Sequence, residues 1–349
     1  MARATLTVDL GAIARNWRRL AALAPGAECA AVVKADAYGL GAAEVAPALA
    51  RAGARTFFVA LAEEGVALRA ILGPGPVIHI LNGFSADDAA LFRDADLRPV
   101  LNAPQQIADW LAAAPDRPCA LHLDSGMNRL GLSPDELAAA PLDRLRLTLS
   151  MTHLACADDP ADAMNATQLA AFAAMAAAPA LAGVPRSAAA TGGILLGPDS
   201  HHDLVRPGVG LFGGLPFAAA EPVVTLDAPV VQVRAVAPGQ PVGYGATWRA
   251  ARPSRVAIVA TGYADGIFRS AAPAARAFFG PAALPFAGRV SMDLIGLDAT
   301  DAPELSAGDR VQLLNRDWRV DDLAAAAGTI GYEVLTSLGT RYARRYERD

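Results

Sequence analysis

Residues 30–41 read AAVVKADAYGLG, and this stretch begins a pattern that runs through the first 220 residues. Four small or β-branched apolar residues lead into Lys34, and two glycines follow. A short apolar run with a polar residue at its end is typical of a buried parallel strand. Similar runs recur between alanine-rich helical segments. The predicted strands are Ala30–Lys34, Thr56–Ala60, Val77–Leu81, Leu97–Leu101, Ala120–Leu123, Leu145–Thr152, Arg186–Ala190 and Gly208–Phe212.

Eight strands with helices between them indicate parallel pairing and closure into a (β/α)8, TIM-type barrel. The pattern changes near Pro216–Pro222. Residues 223–236, 254–263 and 309–315 are β-branched and partly alternating, which is typical of antiparallel strands. We therefore predict an α/β chain with a barrel over residues 1–220 and a mostly antiparallel β domain over residues 221–349. The first few residues are expected to pack with the β domain.

Two helix starts are marked by capping residues. Asp9 is a predicted N-cap, because apolar residues follow it at helical spacing. Ser133 is followed by a proline and then by Glu136, which is the pattern of a capping box.

The composition limits the classes of protein. Hydrophobic residues make up 53% of the 349 residues and the mean hydropathy is +0.29, which supports a large buried core. The net charge of −5 is spread along the chain, so we expect no nucleic-acid partner. No apolar run is long enough to span a membrane, and charged residues near the N-terminus interrupt any signal-peptide core. We expect a cytoplasmic protein.

Polar residues stand near the predicted carboxyl ends of strands, where a barrel of this class carries its active site. They are Lys34 and Tyr38 after strand one, His122, Asp124 and Arg129 around strand five, His153 after strand six, Thr191 after strand seven and Arg206 before strand eight.

Lys34 is the only lysine, and the other 29 of the 30 lysine and arginine residues are arginine. One interpretation is a lysine that reaches solvent from a strand end. Arginine does this equally well, however, and the chain uses arginine at every other position. Arginine cannot lose its proton and attack a carbonyl, whereas lysine can form a Schiff base. A covalent role for Lys34 is therefore the stronger hypothesis.

The last two barrel loops are rich in small residues. Thr191-Gly192-Gly193 and Gly208-Val209 offer backbone N–H groups and one hydroxyl, which suit a phosphate group. Such turns are also common in barrels that bind no phosphate. Together with a reactive lysine they favour pyridoxal phosphate, since its aldehyde would join Lys34.

The motif AVVKADAYGLG around Lys34 resembles the cofactor-lysine motif of the alanine racemase family, which is a fold-type III pyridoxal phosphate family. Further motifs resemble the other conserved segments of that family, in the family's order and over nearly the whole chain. They are LDSGMNRLG, MTHLA, DLVRPGVGLFGG, VGYGATW, TGYADG, GRVSMD and GYEVL.

The resemblance implies racemisation of L- and D-alanine by two bases. Lys34 would carry the cofactor and act as the base that faces the D-enantiomer, and Tyr244 would face the L-enantiomer. In the family this tyrosine comes from the partner subunit. The resemblance thus implies a head-to-tail homodimer whose β domain contributes to the partner's active site, and D-alanine for peptidoglycan or alanine catabolism.

It also implies further site residues. Arg206 would lie against the pyridine nitrogen, and His153 would stack on the ring. Arg129 would contact the cofactor's phenolic oxygen and the substrate carboxylate, and the backbone of Met292 would bind that carboxylate across the subunit interface. The phosphate group would be held by Tyr38, Thr191, Gly208, Val209 and Tyr332.

Three positions depart from the family pattern. His122 stands where many members carry a lysine, often carbamylated, that supports the arginine equivalent to Arg129. Because no second lysine exists, we expect either a neutral His122 or a bound anion such as chloride in its place. Ala190-Thr191 stands where Asn-Ser is common, and Leu40 where histidine is frequent.

Other interpretations stay open. A racemase of different or broader amino-acid specificity would fit the same motifs. A non-catalytic pyridoxal phosphate carrier on this barrel usually lacks the β domain and its tyrosine, and a decarboxylase of this fold would want an acidic residue in place of Arg206. Tyr244 without its context would be read as half-buried core. No histidine or cysteine set has metal-ligand spacing, so we predict no metal.

Overall fold

A computed structural model describes residues 3–348. Met1, Ala2 and Asp349, at the outer ends of the predicted domains, lie outside the described residues. The chain separates into two compact units. One comprises Ile13–Ala220, and the other combines the residues up to Ala12 with those from Glu221 onward.

The first unit is built on parallel strands that pair in chain order. Its strands are Glu28–Cys29 and Ala31–Val32, which form one interrupted strand, then Thr56–Val59, Val77–Ile80, Arg98–Leu101, Pro118–His122, Arg146–Met151, Arg186–Ser187 and Leu204–Val205. Their residues are mostly buried apolar side chains, and burial of each large one contributes about 1.5–3 kcal/mol.

Hydrogen bonds join the last strand to its neighbours on both sides. The backbone N–H of Arg206 donates to the Ala189 carbonyl at 2.8 Å, and that of Ala30 donates to the Val205 carbonyl at 2.9 Å. The last strand therefore pairs with the seventh strand and with the first. This closes a (β/α)8 barrel within residues 13–220, all of which are described, and the predicted fold class is confirmed.

The prediction of an eighth strand at Gly208–Phe212 is wrong. The strand is Leu204–Val205, and Val209–Phe212 is a 3-10 helix. Gly208 has φ −125° and ψ −92°, which no strand residue adopts. Arg206 therefore follows the eighth strand directly, at the same end of the barrel as Lys34.

Helices connect the barrel strands. They are Leu10–Leu23, Ala42–Ala52, Ala62–Leu72, Ala89–Asp94, Pro104–Ala113, Pro134–Ala139, Ala163–Ala176 and Thr191–Leu196. Both predicted caps are confirmed. Asp9 Oδ1 accepts from the Ala12 N–H at 2.7 Å. Ser133 Oγ accepts from the Glu136 N–H at 3.3 Å while the Glu136 carboxylate accepts from the Ser133 N–H at 2.9 Å.

The second unit is a mostly antiparallel β structure, as predicted. Its strands are Thr5–Asp9, Val224–Val236, Pro241–Val242, Trp248–Arg249, Ser254–Val259, Arg276–Phe279, Ala282–Pro285, Ile295–Asp298, Arg310–Leu314 and Ala343–Glu347, and its helices are Val320–Ala327 and Gly331–Ser337. The long strand Val224–Val236 pairs antiparallel with Thr5–Asp9, Ser254–Val259 and Arg310–Leu314. Thr5–Asp9 also pairs with Ala343–Glu347, in parallel.

Among residues 3–348, no helix combines the length and the apolar character that crossing a membrane requires.

Candidate active site

Lys34 begins a left-handed turn at the carboxyl end of the first barrel strand. The four residues after it have φ between 52° and 55°, although none of them is glycine. Each residue in this conformation costs roughly 1–2 kcal/mol. The Gly39 N–H donates to the Ala35 carbonyl at 2.7 Å, and the Ala42 N–H donates to Asp36 Oδ1 at 2.7 Å. The strained backbone is thus held in place, and it directs the chain sharply away from the strand just after the lysine.

The Lys34 amine is half-buried and lies in the field of a second cation. Burial is the main cause that lowers its pKa from the ordinary value, and the positive charge of Arg129 lowers it further. The negative charge of Glu64 acts in the opposite direction. A lowered pKa enlarges the fraction of free amine at neutral pH, which is the form that acts as a nucleophile or base.

Arg206 is a buried cation at the end of the eighth strand. One of its amino groups donates to Ser187 Oγ, and the other donates to the Thr152 carbonyl at 2.6 Å. No carboxylate among residues 3–348 is paired with it. Burial lowers its pKa to about 9, so the guanidinium stays charged at neutral pH. Burying a cation without a paired carboxylate costs free energy. This indicates a site that binds an electron-rich ligand.

His153 follows the sixth strand in the same electropositive region. Burial and then the charges of Arg206 and Arg129 lower its pKa to about 3, and the charge of Lys34 adds to this effect. The imidazole is therefore neutral at neutral pH.

His122, at the end of the fifth strand, is also neutral, because burial and the charge of Arg206 lower its pKa to about 4. Its Nδ1 lies 2.8 Å from Asn102 Oδ1. Both amide hydrogens of Asn102 are used, since its Nδ2 donates to the Leu81 and Val100 carbonyls. The Asn102 oxygen must then accept, so the proton of His122 resides on Nδ1 and its Nε2 is an acceptor. This agrees with the neutral His122 expected from the sequence.

The glycines after the eighth strand contact two of the predicted phosphate ligands, Thr191 and Tyr38. Thr191 Oγ1 accepts from the N–H groups of Gly208 and Gly210 at 3.1 and 3.3 Å. A Cβ atom on Gly208 would lie 2.2 Å from the hydroxyl of Tyr38. A side chain at position 208 would therefore have to displace the Tyr38 hydroxyl, and Tyr38, Thr191 and Gly208 lie together, with Val209 next in the chain.

The remaining predicted residues belong to the second unit. Tyr244 lies in the 3-10 segment Tyr244–Ala246 and its side chain is 71% exposed. Met292 is 53% exposed, and its carbonyl accepts from the Ala264 N–H at 3.0 Å. Tyr332 is half-buried in the helix Gly331–Ser337. The expectation of a half-buried core position does not fit Tyr244.

Sequence reasoning missed two polar residues of this region. Asn102 follows the fourth strand, and the strand-end rule applied to the other strands would have found it. Glu64 stands in the first turn of the helix after strand two, where acidic residues are common as caps, and nothing in the sequence distinguished it from those. In the described part of the chain, no three His, Cys, Asp or Glu side chains cluster closely enough to hold a metal ion.

A strand-end lysine that precedes a strained turn and a buried arginine without a paired carboxylate lie in one (β/α)8 barrel, an arrangement suited to an enzyme of amine chemistry. Two family models match the chain, the alanine racemase N-terminal domain over residues 8–216 and the alanine racemase C-terminal domain over residues 223–346. The chain belongs to the alanine racemase family. The predicted family and enzyme class, an isomerase acting on amino acids, are thereby confirmed.

Individual relatives agree with this. An alanine racemase of Cereibacter sphaeroides is 54% identical over 349 residues, which cover 99% of each chain. Two crystal structures have the same fold over nearly the full length. The alanine racemase of Bartonella henselae with covalently bound pyridoxal phosphate has a TM-score of 0.93 at 39% identity, and covers 99% of this chain and 100% of its own. The biosynthetic alanine racemase of Pseudomonas aeruginosa has a TM-score of 0.92 at 38% identity, with 100% of both chains covered.

The electrostatic role of Arg129 is testable because the chain has one lysine. Arg129→Gln should raise the pKa of Lys34, since it removes a charge that lowers it. In the cofactor-free chain labelled with [13Cε]lysine, the single lysine resonance reports this titration directly. We expect its midpoint to move to higher pH in R129Q. Arg93→Gln, which removes an exposed arginine paired with Asp94, should leave it unchanged. An unchanged or lower midpoint in R129Q would contradict the assignment.

Proposed function

We propose that the chain interconverts L- and D-alanine with pyridoxal phosphate bound to Lys34, by a two-base mechanism in which the second base is Tyr244 of a partner subunit. The observation that carries the proposal is the environment of the only lysine. It stands at a strand end in the same barrel as an unpaired buried arginine, and its pKa is lowered.

The residues of the barrel fit this cofactor. Lys34 would form the covalent bond to it, and Arg206 offers a fixed cation for the pyridine nitrogen. The phosphate would lie at Tyr38, Thr191, Gly208 and Val209, where the Thr191 hydroxyl and the Gly208 N–H lie 3.1 Å apart. Tyr332 would complete the phosphate site. Arg129 would pair with the phenolic oxygen and with the substrate carboxylate, which the Met292 backbone would also bind.

Pyridoxal phosphate, when bound, withdraws electrons from the Cα atom of an attached amino acid and so acidifies the Cα–H bond. The Lys34 amine exchanges this proton on the face of the D-enantiomer. The Tyr244 phenolic oxygen exchanges it on the opposite face, so that removal by one base and return by the other inverts the centre. General acid–base catalysis of this kind contributes about 10²–10⁴-fold per group.

Arg206 limits side reactions, and His153 supports the cofactor ring and the second base. Arg206 holds its own proton at neutral pH, so it does not protonate the ring nitrogen, and charge at Cα is stabilised less than it would be beside a carboxylic acid. This favours rapid return of the proton over transamination. The neutral imidazole of His153 would stack on the ring and assist Tyr244 from the same region.

Exposed apolar side chains of the second unit support a shared site. Tyr244, Tyr263, Met292 and Leu294 are between 42% and 71% exposed. The Tyr263 N–H donates to the Ser291 carbonyl at 3.0 Å, so the loops that carry three of them are joined. Large exposed apolar groups that lie together mark interaction surfaces. We infer a head-to-tail homodimer in which this surface completes the partner's site.

The proposed setting is the cytoplasm, with D-alanine as a precursor of peptidoglycan or with alanine catabolism as the purpose. A racemase of other or broader amino-acid specificity is separated from this proposal by offering a panel of L-amino acids and following each D-enantiomer by chiral chromatography.

Complementation between two inactive variants tests both the bases and their origin. The wild-type chain with pyridoxal phosphate should convert L-alanine to D-alanine, and Lys34→Ala and Tyr244→Phe should each abolish this. Co-expressed as a mixture, the two variants form heterodimers in which one site regains both bases. Activity should then return to roughly a quarter of the wild-type rate per chain, because half the dimers are mixed and each has one intact site.

Two results would contradict the proposal. Mixed dimers that form but stay inactive would contradict a site shared between subunits. Undiminished racemisation by Y244F would contradict the second base.

The close packing around Gly208 predicts that a larger side chain at this position weakens cofactor binding. Gly208→Ala places a methyl group against the Tyr38 hydroxyl and should weaken pyridoxal phosphate binding about tenfold or more, measured by titration of the visible absorbance. Gly26→Ala, where a Cβ meets no atom within 4 Å, is the matched control. If G208A and G26A bind pyridoxal phosphate with equal affinity, close packing at Gly208 does not support the cofactor site.

A further inference from the structure

Glu64 lies beside the reactive lysine and has no part in the mechanism above. Its carboxylate accepts hydrogen bonds from three backbone N–H groups. Oε1 accepts from Ala35 at 2.6 Å, and Oε2 accepts from Ala60 at 2.8 Å and from Leu61 at 3.1 Å. Ala35 directly follows Lys34, whereas the other two precede the helix Ala62–Leu72. One side chain thus ties the loop after strand one to the loop after strand two.

Helix capping accounts for only part of this arrangement. Glu64 is the third residue of its helix, and its bond to the Leu61 N–H is that of an ordinary capping box. Glu136 forms the same kind of bond with Ser133 in another helix of the barrel and has no further acceptor bond among those found there. The bond from Ala35 to Oε1 is the shortest that Glu64 makes, and a cap does not require it.

This additional bond holds the backbone on one side of Lys34. On the other side, the Val33 N–H donates to the Phe58 carbonyl at 2.9 Å, as part of the strand pairing. Ala35 is also the first residue with positive φ, at 52°. Since an alanine has no intrinsic preference for this conformation, the turn needs an external partner at the point where it begins.

The carboxylate also acts electrostatically on Lys34. The charged or titratable groups that act on Lys34 are Arg129 and Glu64, and Lys34 in turn acts on His153. Arg129 lowers the pKa of the lysine and Glu64 raises it.

We propose that Glu64 is a positioning residue for Lys34: its carboxylate fixes the start of the left-handed turn through the Ala35 N–H and so sets where the lysine amine is presented. The proposal rests on the proposed function only in that Lys34 is the base. Because the carboxylate contacts the backbone rather than the substrate, its loss should affect the chemical step more than the binding of alanine.

Glu64→Gln tests this with Glu136→Gln as the matched control, because both remove the charge of a capping glutamate. In the cofactor-free full chain with [13Cε]lysine, E64Q should shift the titration of the single lysine to lower pH and broaden or displace its resonance. In the enzyme with pyridoxal phosphate, kcat for alanine should fall about tenfold in E64Q with KM changed less than about twofold. E136Q should leave the lysine titration and resonance unchanged, and kcat and KM within about twofold of the wild type.

Glu64→Asp is a second variant that keeps the test valid if E64Q folds poorly. It keeps the charge but is one methylene shorter, so it cannot bridge both loops. We expect the loss of kcat in E64D with the lysine titration close to that of the wild type. If E64Q and E64D both match E136Q in the lysine resonance and in kcat, the positioning role is wrong. If instead Lys34 is not the base, kcat no longer reports on the position of its amine. The lysine resonance still decides whether Glu64 holds the turn.

Discussion

The proposed mechanism requires the half-buried amine of Lys34 to lose its proton, and the rest of the barrel end depends on this constraint. Lysine is the only cationic side chain other than histidine that can do this readily, and the chain keeps lysine at one position alone. Burial and Arg129 lower the pKa of the Lys34 amine, while Glu64 opposes them. The amine must also point in a fixed direction, and four consecutive residues in the left-handed region supply that direction at an energetic cost.

The second constraint is a buried positive charge with no carboxylate beside it. Arg206 is stabilised by a serine hydroxyl and a main-chain carbonyl, both neutral. Burial first, and then the charge of Arg206, lower the pKa values of His153 and His122, so both imidazoles are neutral within the positive field of this arginine. Such a field suits an anionic, electron-rich ligand and disfavours protonation of a ring nitrogen that faces Arg206. A family that racemises rather than transaminates amino acids would need this combination.

The sequence predicted the barrel because the apolar strands repeat, and it predicted the chemistry because Lys34 had no packing reason to differ from the arginines. The eighth strand was misplaced because the segment GVGLF has the apolar composition of a strand. The sequence does not show that Gly208 adopts φ and ψ angles outside the strand region. The left-handed turn could not be predicted from Ala-Asp-Ala-Tyr, since alanine and tyrosine disfavour this conformation and one of the bonds that hold it comes from Glu64, which is distant in sequence. Glu64 was missed for the same reason: its helix cap is local and readable, but its bond to Ala35 is a contact between two loops.

The central claim is that Lys34 is the one amine that holds the cofactor. Borohydride reduction of the protein loaded with pyridoxal phosphate, followed by peptide mapping in a mass spectrometer, measures this directly. The account predicts one stoichiometric pyridoxyl modification, on the peptide that contains Lys34, and none in K34A. Modification of the N-terminal amine alone, or a loaded protein that carries no covalent label, would contradict it.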